Sequence, residues 1–370
     1  LPRAWVFKGG ARVIPNTMLA ARLYAPGDIR VEEVPVPEVG EREVLIKVMA
    51  AGICGSDPPR AMSTGTYSYP LTIGHEFAGE IAATGSGVKG LSPGERVTAI
   101  PLIPCGSCGY CRAGQYNLCD QYDYIGSRTD GAFAQYMKTR AENVLVIPDS
   151  VDFETAATSD PAAVALHAVR KAGITVGDTV AVLGVGPIGL FAVQWAKLVG
   201  AIMVMAVDIY DEKLEIARRL GADICVNARK DDPVAMVNQI TSGKGINRVI
   251  ETAGVPQTQH QGCLIASKLG SVVFCGISHA GLELSEAAVD RVMRREISVF
   301  GSWNSGDVTL PYEDDWKTTL CFMGQGKIVA KPFITHRYPL IDVPKVFDDI
   351  WNGHMVHGKV LFLPHAGGET

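Results

Sequence analysis

Val180-Ala181-Val182-Leu183, running straight into Gly184-Val185-Gly186-Pro187-Ile188-Gly189, is the stretch that decides the fold. The apolar run reads as a strand buried on both faces. The glycines after it lack the side chains that would block a tight turn, a close approach of backbone to a pyrophosphate, and packing of the next helix on the strand. Residues 187–199 are then apolar almost throughout, as a helix pressed against a sheet requires. Asp208 follows nineteen residues after Gly189, at the end of the next apolar run. A carboxylate there hydrogen-bonds adenine-ribose hydroxyls and repels the additional phosphate of NADP, so the pattern favours NAD. A lone G-x-G-x-x-G carries little. Between a strand and a helix, and answered by an acid, it marks Gly184, Gly186, Pro187, Ile188, Gly189 and Asp208 as a dinucleotide site.

The same texture extends outward. Apolar strands are expected at about 179–183, 202–207, 223–226, 247–252, 271–275 and 297–300, alternating with amphipathic stretches. One of these, Asp211 to Leu220, opens with acids, closes with arginines and stops at Gly221, which satisfies helix start and stop signals. Six strands with crossover helices predict an α/β, doubly wound parallel sheet. Upstream, from Met18 to about residue 160, short Val/Ile-rich runs such as Val44-Leu45-Ile46-Lys47-Val48 are broken by Gly and Pro, predicting a strand- and loop-rich domain. The chain's 370 residues exceed the ~250–300 at which one core stops growing. The first Met is Met18, and residues 1–17 are expected to be a vector-derived leader.

Cys105, Cys108, Cys111 and Cys119 form a C-x2-C-x2-C-x7-C run whose thiolates can converge on one tetrahedral ion. Paired disulfides are a competitor, disfavoured by the short gaps and by nothing else suggesting secretion. An iron–sulfur cluster also competes, although its runs carry a different last gap and a following proline. The favoured reading is structural zinc. The other cysteines are scattered; apart from Cys54 they lie in apolar surroundings and are expected to behave as small hydrophobes. Composition is ordinary for a globular protein, 47% hydrophobic and 20% charged. A formal net charge of −5 with no basic stripe argues against nucleic acid as partner. No apolar run approaches the ~18 residues of a membrane span and no signal-peptide pattern is present, so a cytoplasmic location without membrane attachment is expected.

A second metal constellation lies in Gly52-Ile53-Cys54-Gly55-Ser56-Asp57 and Gly74-His75-Glu76, with Asp160 in Ser159-Asp160-Pro161. A thiolate, an imidazole and a carboxylate leave the fourth position of tetrahedral zinc open, as catalysis needs. Spacing alone does not assemble them, and a lone Cys or His is usually core.

From Met18 onward, G-I-C-G-S-D, G-H-E, the four-cysteine lobe, V-x-x-L-G-x-G-P-I-G and the final G-K-V occur in one order, and in that order they resemble the zinc-dependent medium-chain alcohol and polyol dehydrogenases. Tyr122-Asp123-Tyr124-Ile125-Gly126-Ser127-Arg128 and Glu251-Thr252-Ala253-Gly254-Val255-Pro256-Gln257-Thr258 are similar to the polyol branch, which includes polyol-phosphate enzymes. The resemblance implies a GroES-like β-rich catalytic domain of residues 18–163 and 304–370 around an inserted Rossmann-type NAD-binding domain of 164–303. It implies two zinc ions per chain, one catalytic and one structural, a small polyol or polyol-phosphate substrate, and a homodimer or homotetramer. Cys54, His75, Glu76 and Asp160 become catalytic-metal residues, with Glu76 either completing the sphere or exchanging with water. Asp160 stands where relatives usually carry Glu, so direct or water-mediated ligation both remain open. Asp57 is expected to hold His75, and Ser56 to take the alcohol proton. Where many relatives continue the relay with His, this chain has Pro59. Arg60 and Arg128 are candidate anchors for an anionic substrate end, because guanidinium forks pair with such groups. Lys213 is placed near the adenine ribose and Lys359 near the pyrophosphate, each with a surface position as the alternative. Two rivals remain: a dehydrogenase of a sugar acid or of threonine, and a non-catalytic zinc- and nucleotide-binding protein disabled by the shorter Asp160.

Overall fold

The computed structural model describes residues 14–306 and 314–366. The first thirteen residues of the expected leader lie outside that range; Thr17 already opens the first strand, Thr17–Ala25. The chain divides into two compact units, one of residues up to 160 with those after 306, the other of residues 161–306.

The second unit carries the deciding stretch. Its six strands are all parallel and run in the order Ile224–Asn227, Met203–Asp208, Thr179–Leu183, Ile246–Glu251, Ala266–Phe274, Ser298–Gly301. The strand ending at Leu183 therefore sits beside the point where the order reverses, which is where open α/β sheets bind ligands. Val180 to Leu183 are completely buried, explaining their lack of alternation. The helix Pro187–Leu198 buries Leu190 through Ala196, and Trp195 donates its indole N–H to Ala162 O at 3.0 Å. The fifth strand starts at Ala266 rather than near 271. Its pairing slips between Ile246 and Arg248, and Leu269 within it takes φ +56° and is exposed, an irregularity that hides its first residues from a period-based reading.

The first unit is a β assembly. Glu43–Gly52 lies between Glu76–Thr84 and Lys359–Leu363, antiparallel to both. Outside them run Arg96–Ala99 and Val144–Val146 on one side and Ile334–Pro339 on the other, while Tyr136–Arg140 also pairs Glu43–Gly52. Phe133 anchors the core, its ring 5.9 Å from Phe347 and 5.0 Å from Phe362 in edge contacts. Each such fully buried phenylalanine is worth about 1.5–3 kcal/mol. The register fixes the site: Gly52 is opposite Glu76 on one neighbour and Leu361 on the other. Cys54, Glu76 and Lys359, distant in sequence, therefore meet at one end of the sheet.

Cys321 corrects the expectation of a buried thiol. The helix Asp315–Gly324 turns Trp316, Leu320 and Met323 inward, which leaves Cys321 on the solvent face.

Candidate active site and metal centres

In the cysteine lobe all four sulfurs lie within 4.8 Å of one another, and none is in a disulfide. Cys105 and Cys111 Sγ are 3.9 Å apart, as are those of Cys108 and Cys119. Four sulfurs about 2.3 Å from a tetrahedral ion stand about 3.8 Å from each other, so the spacing fits zinc. Backbone N–H groups of Ser107 and Cys108 point at Cys105 Sγ (3.5 and 3.4 Å), and that of Cys111 at Cys108 Sγ (3.4 Å). These hydrogen bonds lower the Cys105 thiol to about 6, whereas burial and its cysteine neighbours push Cys111 up to about 12. Four thiolates cannot coexist here without a cation to offset them.

The second centre grows from the sheet end. Cys54 Sγ, a His75 ring nitrogen and a Glu76 carboxylate oxygen all lie within 4.8 Å of one another. Asp57, buried beneath them, organises the loop: one oxygen accepts the Cys54 N–H at 2.9 Å, the other stands 3.3 Å from His75 Nδ1 and accepts from Arg60 at 3.1 Å. With Nδ1 facing Asp57, His75 has Nε2 for a metal. Burial works against charging His75, but Asp57 and Cys54 outweigh it and hold its pKa well above the ordinary value. Burial likewise opposes ionisation of Asp57, yet His75 and Arg60 bring its pKa below the usual carboxylate range. Ser56 Oγ lies 3.3 Å from Cys54 Sγ. Tyr124 packs its ring edge-on to His75 at 5.5 Å, and burial, then Asp160 and Cys54, raise its phenol well above normal.

Asp160 is not within the tight Cys54–His75–Glu76 group. It opens the helix Ser159–Ala172, is buried, and its Oδ1 has no hydrogen-bond partner among the described residues. Burial, reinforced by Glu76 and opposed by His75 and Lys359, pushes its pKa up to about 7. Three buried carboxylates, one of them Asp160 with an orphaned oxygen, together with a thiol and an imidazole, set against Lys359 and a partly exposed Arg60, make an environment that fits a divalent cation.

Lys359 corrects the surface reading. Its side chain is 2% exposed; Nζ pairs with Glu76 Oε2 at 2.5 Å and donates to Ile53 O at 2.9 Å. Gly52 makes room for this pair, since a Cβ there would lie 2.8 Å from Glu76 Oε2. The signal was a lysine heading the otherwise apolar strand Lys359–Leu363, where a charge needs a buried partner. Tyr124 was also assigned no role by sequence reasoning, and nothing in local patterning points to its contact with His75.

At the glycine turn Gly184 has φ +89°, and a Cβ on Gly189 would fall 2.1 Å from Gly184 O, so the first turn of the helix can close on the strand's end only with glycine at 189. A Cβ on Gly186 would meet nothing within 4 Å, which leaves open space beside the start of Pro187–Leu198, where a phosphate finds N–H groups and the helix dipole. Asp208 accepts from Val185 N at 2.8 Å, Ile209 N at 2.7 Å and Tyr210 N at 3.1 Å, tying the second strand to the turn. Lys213 lies over the Tyr210 ring at 5.1 Å.

Residues 40–149 match the alcohol dehydrogenase GroES-like domain and residues 187–324 the zinc-binding dehydrogenase domain. The chain belongs to the zinc-binding dehydrogenase family. Among curated relatives, it is 37% identical to galactitol 1-phosphate 5-dehydrogenase of Escherichia coli K12, covering 91% of this chain and 97% of that one. It is 35% identical to the sorbitol dehydrogenase of Bacillus subtilis (88% and 92%) and 35% identical to the L-threonine 3-dehydrogenase of Symbiobacterium thermophilum (94% and 98%). The crystal structure of galactitol-1-phosphate dehydrogenase from Escherichia coli superposes with a TM-score of 0.88 at 36% identity, covering 94% and 100% of the two chains. A zinc-binding dehydrogenase from Sinorhizobium meliloti bound to NADP gives 0.86 at 34%, covering 95% and 100%. The dehydrogenase is thus a medium-chain, NAD(P)-dependent oxidoreductase, with a GroES-like unit and a Rossmann-type unit. Among the described residues no helix is long and apolar enough to cross a membrane.

Proposed function

We propose that the dehydrogenase oxidises a secondary alcohol of a polyol or polyol phosphate with NAD, in the manner of its galactitol-1-phosphate relative. The observation that carries this is the Cys54–His75–Glu76 group, its imidazole and carboxylate buried and its thiol half-buried, with the unpartnered Asp160 oxygen nearby, a donor set that satisfies an ion without closing its sphere. When bound, zinc supplies Lewis acidity at the alcohol and NAD supplies the two-electron acceptor. The chain's residues do the rest. Asp57 orients His75, and Arg60 in turn holds Asp57. Ser56, beside Cys54, is the hydroxyl that takes the alcohol proton as it gives its own on to the cofactor ribose. Pro59 cannot relay it further, so the proton leaves through water. Asp160 stands by as a direct or water-mediated ligand, and Lys359 fixes the carboxylate of Glu76.

The preference for NAD is supported by Asp208, whose carboxylate sits at the end of the second strand where the added phosphate of NADP would meet negative charge. Lys213 is the residue we assign to the adenine ribose. Polyol rather than threonine chemistry is supported by the Tyr122–Arg128 and Glu251–Gly254 stretches, since the three kinds of relative are about equally identical overall. In this reading the enzyme works in the cytoplasm as a homodimer or homotetramer, as the family resemblance implies.

The decisive experiment is Cys54→Ser. Turnover of hexitols and hexitol phosphates, followed as NADH absorbance, should fall at least a thousandfold while NAD binding and far-UV circular dichroism stay near wild type. Retained turnover would remove the catalytic metal from the proposal, and loss of the fold would make Cys54 structural.

A further inference from the structure

Arg128 lies sandwiched between two tyrosine rings, with its guanidinium carbon 4.2 Å from the centroid of Tyr67 and 4.5 Å from that of Tyr122. Stacking occupies the two faces of a guanidinium and leaves its in-plane N–H donors pointing outward, in the fork that matches a phosphate or carboxylate. No carboxylate among the described residues lies within ion-pair distance of Arg128, and the side chain is only half-buried. Such an arginine has been immobilised without being neutralised. The other candidate anchor, Arg60, is different: its Nη1 is given to the buried Asp57 at 3.1 Å.

The stack is also joined to the metal group. Tyr122 packs edge-on against Tyr124 at 6.4 Å, and Tyr124 packs edge-on against His75 at 5.5 Å. The backbone agrees, because Arg128 N donates to Tyr124 O at 2.9 Å, and Gly126, two residues earlier, crosses so closely over Gly74 that a Cβ would lie 2.4 Å from its carbonyl. His75 follows Gly74 directly. A ladder of two rings therefore runs from the imidazole to a clamped, unpaired cation on the same unit.

We propose that the Tyr67–Arg128–Tyr122 clamp is an anion-recognition subsite, and that the substrate carries a phosphate monoester at the end remote from the alcohol being oxidised. This rests on the polyol reading above and goes beyond it, by choosing the phosphorylated class and by giving the anion to Arg128 and not to Arg60. The two tyrosines hold the fork in place before substrate arrives, so little side-chain entropy remains to be lost on binding.

The test compares galactitol with galactitol 1-phosphate on zinc-loaded enzyme with NAD. Arg128→Met should raise KM for the phosphate ester about 10–100-fold, the range for losing a charge-assisted fork, and change kcat/KM for the free polyol less than about twofold. Tyr122→Leu should repeat part of that loss, and Tyr122→Phe, which keeps the ring, should restore it. Equal effects on both substrates, or none, would overturn the subsite. Calorimetric binding of galactitol 1-phosphate separates the two claims. If neither polyol is turned over by wild type, the catalytic reading fails. Weaker binding to Arg128→Met than to wild type would then still support the clamp, and equal binding would refute it.

Discussion

Lys359→Met probes how the Cys54–His75–Glu76 end of the sheet is held together. Lys359 and Glu76 side chains are 2% and 1% exposed and paired at 2.5 Å, and the same ammonium satisfies Ile53 O. Methionine nearly matches the volume of the aliphatic stem, so the packing change is small and the loss is electrostatic. Removing one member of a buried pair strands the other charge, at a cost of about 3–5 kcal/mol. That cost falls on the strands the pair bridges, Glu43–Gly52, Glu76–Thr84 and Lys359–Leu363. At about 1.4 kcal/mol per decade, amide exchange through local opening there should accelerate by two to three and a half decades. Hydrogen–deuterium exchange read by mass spectrometry resolves this, with Thr179–Leu183 in the other unit as internal control. The effect should be largest in chelator-treated protein, because a bound cation offsets the stranded Glu76. Adding Glu76→Gln to Lys359→Met removes the uncompensated charge and should recover more than half of the protection. An acceleration below tenfold in the single variant, or a double variant no better than the single, would refute the argument that this pair is a buried, mutually compensating clamp.

Two further outcomes concern metal and cofactor. Elemental analysis should find two zinc ions per chain; Cys111→Ser should leave one and expose the segment from Cys105 to Cys119 to proteolysis, whereas an unchanged count would mean that the four sulfurs do not share an ion. Asp208→Ala should lower the ratio of kcat/KM for NAD over NADP by about 10–100-fold. Because Asp208 also caps three backbone N–H groups, NAD binding itself should weaken; a ratio unchanged within twofold would show that the acid does not read the ribose.

Much of this molecule could be read before its structure. Val180 to Leu183 are apolar without alternation because both faces are covered, and the glycines after them are needed within a few residues of one another, so sequence neighbours carry the message. The four-cysteine lobe is legible for the same reason: its ligands are separated by gaps of two, two and seven residues, and a loop that short can converge only on itself. The expected positions of the parallel strands hold to within a residue or two apart from the early start at Ala266, which a left-handed Leu269 and a slipped register conceal.

The chain's local pattern by itself thus determined the alternation of strands and helices in the second unit, its glycine turn and the cysteine lobe, because each is written in residues close together in sequence. Tertiary structure alone decided the meeting of Cys54, His75 and Glu76, the burial of Lys359 and the clamping of Arg128 by Tyr67 and Tyr122. Those arrangements come from strand register, Gly52 opposite Glu76 and Leu361, and from one loop crossing another at Gly74. Register is a long-range property set by the whole core, and no short stretch of residues encodes it.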